Sequence, residues 1–219
     1  MITDKLYSIQ NEIQQKIKEL NFKDYNPTII AVSKNFSINK ILPLINDGHL
    51  NFGENKVQEA LEKWIDIKKD FSSIKLHLIG KLQTNKAKYA VSLFDYIHSL
   101  DNFKLAQKLA NEEIKQNKRL KYFIQINIGE EDQKNGILED RIIDFYFKCK
   151  NELNLNIIGL MCIPPEGKNP NNHFFKMREI LNQLKLNELS MGMSSDYLQA
   201  IENKSTFLRI GSKIFGNRN

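Results

Sequence analysis

Apolar and polar positions alternate along the chain with two different periods. Runs of five to eight aliphatic and β-branched residues are each followed by a longer stretch in which apolar side chains recur every three or four positions. The first pattern is typical of buried strands and the second of amphipathic helices. The first pattern predicts eight strands, at residues 28–33, 50–54, 75–80, 95–100, 121–128, 156–163, 187–192 and 206–211.

Helical patterns separate these strands, at residues 38–47, 55–69, 84–93, 102–117, 139–151, 171–184 and 196–202. Alternating strands and helices imply parallel pairing through right-handed crossovers, and eight such units close a (β/α)₈ TIM barrel. We therefore predict one α/β domain over residues 1–219, with an extra N-terminal helix at 1–22 and the barrel at 28–216. An open doubly wound parallel sheet is the alternative, because strand counts from one sequence can err by one or two.

Composition narrows the class of protein. A hydrophobic content of 41% and a charged content of 26% are ordinary for a soluble globular chain, and no apolar stretch approaches the length of a membrane span. Cys149 and Cys162 form no CxxC pair, and the N-terminus lacks a signal-peptide core, so we expect a cytoplasmic protein. The net charge of +6 comes from lysines interleaved with acids, which argues against a nucleic-acid partner but suits a small anionic ligand.

In a barrel of this kind, function belongs at the carboxyl ends of the strands. After the eighth predicted strand the chain reads "RIGSKIFG", and after the seventh it reads "SMGMSSD". Gly211 admits a close backbone approach, while Ser194 and Ser212 offer hydroxyls beside helix starts, so together they predict a phosphate site. Taken singly, each is more typical of a turn or a helix cap than of a phosphate site.

Lys34 follows directly after the buried run "IIAVS". A lysine at the mouth of a barrel, with an apolar strand behind it, is a candidate for a Schiff base with a carbonyl ligand. The simpler interpretation is a solvated lysine that begins a loop. A phosphate site at the same mouth favours the functional interpretation.

Seven blocks of the chain closely resemble the pyridoxal phosphate homeostasis protein family. They are "AVSK" (31–34), "FGENKVQE" (52–59), "HLIGKLQTNK" (77–86), "IQINIGEEDQKNG" (124–136), "GLMCIPP" (159–165), "SMGMSSD" (190–196) and "RIGSKIFG" (209–216). The resemblance implies a small, non-catalytic binding protein with the barrel of the alanine racemase N-terminal domain and pyridoxal 5'-phosphate (PLP) as its cofactor. It further implies that Lys34 bears the cofactor and that Ser194, Gly211 and Ser212 hold its phosphate.

The same resemblance assigns three more positions to the cofactor. Arg209 would face the pyridine nitrogen, and Asn55 and Met161 would line the ring pocket. An alternative for Arg209 is an interior ion pair with Glu54. His77 and His98 fall within strand patterns, where satisfied core or mouth residues are more frequent than metal ligands.

We therefore predict a PLP carrier for intracellular vitamin B6 homeostasis, with PLP-requiring apo-enzymes as potential partners and no reaction of its own. One rival is a racemase-like enzyme, which needs a second acid/base; in alanine racemase this is a tyrosine from an additional domain of the partner subunit. The chain ends seven residues after Ser212, so we expect neither that domain nor its dimer surface, and predict a monomer. The other rival is an aldolase that uses Lys34 without a cofactor.

Overall fold

The computed structural model describes residues 1–131 and 133–216 as a closed barrel with helices outside. Residues 132 and 217–219 of the predicted domain lie outside the described residues. The strands are β1 (Thr28–Val32), β2 (Asn51–Glu54), β3 (Lys75–Leu78), β4 (Tyr96–Leu100), β5 (Lys121–Ile126), β6 (Ile157–Cys162), β7 (Glu188–Met193) and β8 (Phe207–Ile210).

Neighbouring strands pair in parallel in chain order, and β8 pairs with β1 to close the ring. Thr28 to Ala31 lie opposite Phe207 to Ile210 in this closing pair. The predicted (β/α)₈ architecture is confirmed, and the open doubly wound sheet is wrong. Each strand lies within the predicted span or extends one residue beyond it, because the apolar runs that bury both faces of a strand are distinctive.

The helices are α1 (Ile2–Glu19), α2 (Ile38–Asn46), α3 (Val57–Asp70), α4 (Ala87–Leu93), α5 (Phe103–Gln116), α6 (Ile142–Phe147), α7 (Pro170–Gln183), α8 (Tyr197–Glu202) and α9 (Ser212–Phe215). A wider turn at Lys148–Glu152 continues α6. Among the described residues, no helix combines the length and the apolar character that crossing a bilayer requires.

Helix α1 is the predicted extra helix in front of the barrel. Its apolar stripe buries Leu6, Ile9, Ile13 and Ile17 at the three- and four-residue spacing of the sequence pattern. The helix packs against α2, α8 and α9, so it lies against helices of the barrel's first and last units.

The barrel has a core on each side of its wall. Most buried apolar side chains lie between the strands and the helices, whereas Ile30, Phe123, Met161 and Phe207 form a separate cluster inside. Alternation along a strand places every second residue inside. On β1 this rule carries the inner face from Ile30 towards position 34, two residues past the strand's last residue.

Candidate functional site

A cavity of about 740 Å³ opens at the carboxyl ends of the strands. Its described lining is partly apolar and carries three cationic side chains but no acid. The lining residues are Val32, Lys34, Phe36, Asn55, Ile79, Ile163, Met193, Ser194, Ser195, Arg209, Gly211, Ser212, Lys213 and Gly216. This cavity thus includes six of the seven predicted cofactor-binding residues, and its charge favours an anionic ligand.

Lys34 enters the cavity from the turn after β1 and is half-buried. The next residue, Asn35, has φ = 65°, a left-handed conformation that asparagine tolerates better than most residues. The chain therefore reverses immediately after Lys34. The backbone of this lysine is held by the end of a strand on one side and by a tight turn on the other.

The residue before Lys34 is tied into a buried polar cluster. Ser33 donates from Oγ to Glu54 Oε1 at 2.8 Å, and Lys63 Nζ donates to both the Ser33 carbonyl (2.9 Å) and Glu54 Oε1 (2.8 Å). Trp64 Nε1 donates to the same carboxylate oxygen at 2.9 Å. Since Glu54 is fully buried and Lys63 nearly so, this cluster fixes the backbone that presents Lys34.

The turn after β1 is also fixed to α3 and to the last helix, α9. Asn35 donates its backbone N–H to Glu59 Oε1 at 2.5 Å, and the Phe36 ring stacks on Phe215 of α9 with centroids 4.9 Å apart. Because Phe215 ends the short helix that begins at Ser212, the stacking holds the Lys34 turn against the predicted phosphate loop.

A bulge near the end of β7 directs Ser194 towards that loop. Ser190 pairs with Phe207 but Met193 pairs with Arg209, so three steps on β7 match two on β8. Gly192 permits the bulge with φ = 91°, and a Cβ there would lie 2.6 Å from the Ala200 Cβ. Beyond the bulge, Ser194 Oγ accepts from the backbone N–H of Gly211 at 3.2 Å.

Arg209 reaches the cavity from inside β8 and is 4% exposed. Its Nη1 donates to the Ser190 carbonyl and to Ser190 Oγ, both at 2.6 Å, and its Nη2 donates to the Cys162 carbonyl at 2.8 Å. An ion pair with Glu54 is therefore the wrong alternative, since Glu54 pairs with Lys63. Burial lowers the pKa of Arg209, yet a guanidinium stays charged in proteins.

Asn55 lies in the cavity wall just after β2, where Gly80 packs against its backbone. A Cβ on Gly80 would lie 2.3 Å from the Asn55 carbonyl oxygen, so only glycine permits this approach. The loops after β2 and β3 therefore meet closely at the rim. This contact explains why glycine follows the third strand in the sequence.

The structure does not place Met161 in the cavity lining. Met161 is fully buried in the inner cluster, and Ile163, two positions further along the same face, lines the cavity instead. Met161 and Ile163 thus share one face of β6, and Ile163 lies one layer nearer the mouth. The depth at which a strand reaches the mouth depends on the stagger of the barrel, which local sequence does not encode.

Lys213 is a lining residue that the sequence prediction missed. Its Nζ donates to Tyr197 Oη at 2.8 Å and to Glu12 Oε2 at 3.2 Å, and Tyr197 Oη donates to the same Glu12 oxygen. Helix α1 thereby contacts the predicted phosphate loop at Gly211 and Ser212 through a charged group. The available signal was the cation directly after Ser212, whereas its partner on α1 could not be read from spacing.

The two cysteines and two of the histidines do not line the cavity. Burial raises the pKa of the Cys149 and Cys162 thiols to about 12, which suppresses their nucleophilic forms. His77 and His98 are fully buried in the barrel interior. Within the described part of the chain, no group of three or more His, Cys, Asp or Glu residues is placed to hold a metal ion.

The fold and the site define a class of protein. Residues 10–219 match the family model described as alanine racemase, N-terminal domain. Alanine racemase from Clostridium difficile has the same barrel at 11% identity, with a TM-score of 0.71 over 94% of this chain and 56% of that chain. At that identity the likeness shows the fold alone.

More similar relatives identify the branch within this class. A pyridoxal phosphate homeostasis protein from Haemophilus influenzae is 38% identical over all of this chain and 96% of its own length. The protein of the same name from Aquifex aeolicus is 34% identical, over 98% of this chain and 97% of its own length. The chain therefore belongs to the pyridoxal phosphate homeostasis protein family.

A solved structure supports this membership. PipY from Synechococcus elongatus shares 33% identity, and the match covers 93% of this chain and all of that chain. The TM-score is 0.82 for the PipY structure without PLP and 0.79 for the one with PLP bound.

Proposed function

We propose that this protein binds PLP through a Schiff base on Lys34 and serves intracellular PLP homeostasis without catalysing a reaction. The observation that carries the proposal is that Lys34 and the Ser194, Gly211 and Ser212 group line one cavity. PLP unites the two functions that these residues offer, because it carries both an aldehyde and a phosphate. The names of the relatives and the PLP-bound PipY structure point to the same ligand.

The residues of the cavity fit each part of this ligand. The Lys34 amine can condense with the aldehyde and release water. Ser194 and Ser212 supply hydroxyls, and the backbone at Gly211 lies in the same turn, for the phosphate. The lining charge of Lys34, Arg209 and Lys213 stabilises an anion, and Ile163 offers apolar surface for the ring.

Arg209 supports binding in preference to catalysis. In this proposal the guanidinium faces the pyridine nitrogen and donates a hydrogen bond to it, but it does not give up a proton. An unprotonated ring withdraws electrons less strongly than a protonated one, and PLP catalysis depends on that withdrawal. No tyrosine, histidine or acid is among the described residues that line the cavity, so the usual partner acids and bases of racemisation do not face it.

The central test is covalent binding at Lys34. Protein incubated with PLP should gain a visible absorption band, and borohydride should bleach the band while fixing the cofactor to the peptide that contains Lys34. Lys34→Ala should lose both the band and the labelled peptide. Lys88→Ala, which changes an exposed lysine on α4, is the matched control and should keep them.

Covalent labelling of a different lysine, or an unchanged band in Lys34→Ala, would contradict the proposal. Catalysis is tested separately by following α-proton exchange of amino acids in D₂O with the PLP-loaded protein. We expect no exchange beyond that of free PLP. Racemisation at enzymatic rates would favour the racemase alternative, and cleavage of a sugar phosphate by the PLP-free protein would favour the aldolase.

We further propose a cytoplasmic monomer that exchanges PLP with apo-enzymes. Both cysteines are buried and unpaired, which is compatible with a reducing compartment. Sedimentation analysis should give the mass of one chain. In cells lacking the protein we expect altered amino-acid and keto-acid pools and greater sensitivity to pyridoxine, restored by the parent chain but not by Lys34→Ala.

A further inference from the structure

A chain of polar side chains crosses the barrel interior and ends at Arg209. His77 Nε2 lies 3.1 Å from Asn51 Oδ1, and His77 Nδ1 lies 3.0 Å from His98 Nε2. His98 Nδ1 in turn lies 2.8 Å from Ser190 Oγ, which accepts from Arg209 Nη1 at 2.6 Å. Since these residues belong to β2, β3, β4, β7 and β8, the chain spans the barrel instead of following its wall.

The two histidine rings are held in fixed planes. The His77 ring stacks on Tyr96 with centroids 4.2 Å apart and 14° between the planes. His98 stacks on Phe123 at 4.2 Å and 17°. Both histidines are fully buried, so neither water nor an easy ring rotation competes with their hydrogen bonds.

The two ends together determine every hydrogen along this series of side chains. A guanidinium only donates and an amide oxygen only accepts, so Ser190 Oγ accepts from Arg209 and His77 Nε2 donates to Asn51 Oδ1. Burial lowers the pKa of both histidines, so each ring is neutral and carries one N–H. His77 Nδ1 therefore accepts from His98 Nε2, and His98 Nδ1 accepts the one hydrogen of Ser190 Oγ.

We propose that Ser190, His98 and His77 are positioning residues for Arg209, which hold its guanidinium in one orientation as a hydrogen-bond donor at the base of the PLP cavity. This inference rests on the proposed PLP-binding function. Every donor in the chain points away from the cavity, so the interior accepts from Arg209 and has no proton to return. The barrel thereby keeps a donor, and not an acid, where the pyridine nitrogen of PLP would lie.

The first test needs no cofactor. Long-range ¹H–¹⁵N correlation spectra of the PLP-free protein near neutral pH should show His77 and His98 both protonated on Nε2 only. Protonation of either ring on Nδ1, or of both nitrogens, would overturn the proposed direction of the chain. His49 and His173 serve as internal references, because neither belongs to the hydrogen-bonded series that ends at Arg209.

The second test uses PLP labelled with ¹⁵N in its ring. Ser190→Ala and His98→Leu should shift the ring ¹⁵N resonance and weaken PLP binding by about tenfold, the usual effect of disturbing one buried hydrogen bond to a charged group. His98→Asn offers an amide oxygen near the position of Nδ1 and should restore the parent signal. His173→Leu is the control outside the barrel interior and should change neither.

Borohydride trapping on Lys34 separates this inference from the proposed function. If the variants still trap PLP while the ring resonance stays at its parent position, the positioning role is wrong and the binding function stands. If the parent chain itself traps no PLP on Lys34, the proposed function fails, whatever the histidine spectra show. Ser190→Ala guards against a folding defect of His98→Leu, because it removes only one oxygen.

Discussion

At the scale of single residues, the buried polar groups behind Lys34 and Arg209 distinguish this barrel from a purely apolar one. Glu54 and Lys63 form a nearly buried pair under one residue, and the histidine chain ends under the other. Such groups cost desolvation free energy unless their hydrogen bonds are satisfied. Their placement directly behind Lys34 and Arg209 indicates that they hold these two side chains in place at a cost in stability.

Acid should destabilise the protein through His77 and His98. Burial lowers the pKa of His77 to about 3 and lowers that of His98 as well, whereas both rings titrate near 6.5 when unfolded. Between these values the unfolded chain binds more protons than the folded one, so stability falls as pH falls. At pH 5 the expected loss is about 2 kcal/mol for His77, and His98 adds to it in the same direction.

Urea unfolding at pH 7 and pH 5 measures this effect. His77→Gln removes one titrating group and should reduce the loss between the two pH values by about 2 kcal/mol relative to the parent. His173→Gln is the comparison, because His173 is only partly buried and should contribute less. An identical pH dependence in the parent and His77→Gln would refute the prediction.

Met161 and Ile163 should separate stability from binding. Met161→Ala opens a cavity in the inner cluster and should lower the free energy of unfolding by about 2–5 kcal/mol, with little change in PLP affinity of the folded protein. Ile163→Ala removes part of the cavity wall and should weaken PLP binding by about tenfold. Equilibrium unfolding and PLP titration distinguish the two, and reversed effects would show that Met161 contacts the ligand.

At the scale of elements, the bulge of β7 decides how Ser194 meets the predicted phosphate loop at Gly211. In a regular β7 the alternation of side chains would place position 194 on the same face as Ser190. The bulge changes this placement. Gly192 makes the bulge possible because of its conformation and because Ala200 lies close by. One glycine inside a strand thus shapes the end of β7 and the approach of Ser194 to Gly211.

Gly192→Ala should therefore be more destabilising than the same change at a glycine with open space. Gly48 is the matched control, since its φ of 88° is close to the 91° of Gly192 but no atom lies within 4 Å of a built Cβ. Both substitutions should lower the free energy of unfolding by about 1–2 kcal/mol through left-handed backbone strain. Gly192→Ala should lower it by about 1–3 kcal/mol more through overpacking. Urea unfolding of the two variants gives the difference, and equal losses would show that the contact with Ala200 relaxes freely.

At the scale of the whole molecule, we propose that residues 1–219 fold as one domain. Helix α1 joins the barrel through its buried apolar face and through Glu12, which contacts Tyr197 and Lys213. The closing pair of β1 and β8 links the two ends of the barrel. Loss of either contact should weaken the entire ring instead of one segment.

A single cooperative transition is the expected result. Trp64 is the chain's one tryptophan and is fully buried, so its fluorescence reports the packing of α3 against β2 and the cluster behind Lys34. Its unfolding curve in urea should coincide with that of far-UV circular dichroism, which reports all helices. Two separated midpoints would show that the chain contains more than one folding unit.

Much of this structure follows from the sequence. The eight strands and the helices between them are predictable because apolar period two and period 3.6 are local properties. Lys34 and Gly211 are predictable as mouth residues because each lies within two residues of the end of a recognisable strand. The resemblance to the family supplied the ligand and the proposed role of Arg209, which period and spacing alone do not reach.

The tertiary structure decided which side chains meet. Ser190 and His98 lie 92 positions apart, and no periodicity indicates their contact. The partners of Arg209 and the choice of Ile163 over Met161 likewise depend on how far each strand is shifted against its neighbours when the ring closes. Sequence determined which face of each strand points inward, because alternation is local, and only barrel closure determined depth and partners, because the stagger is a property of all eight strands together.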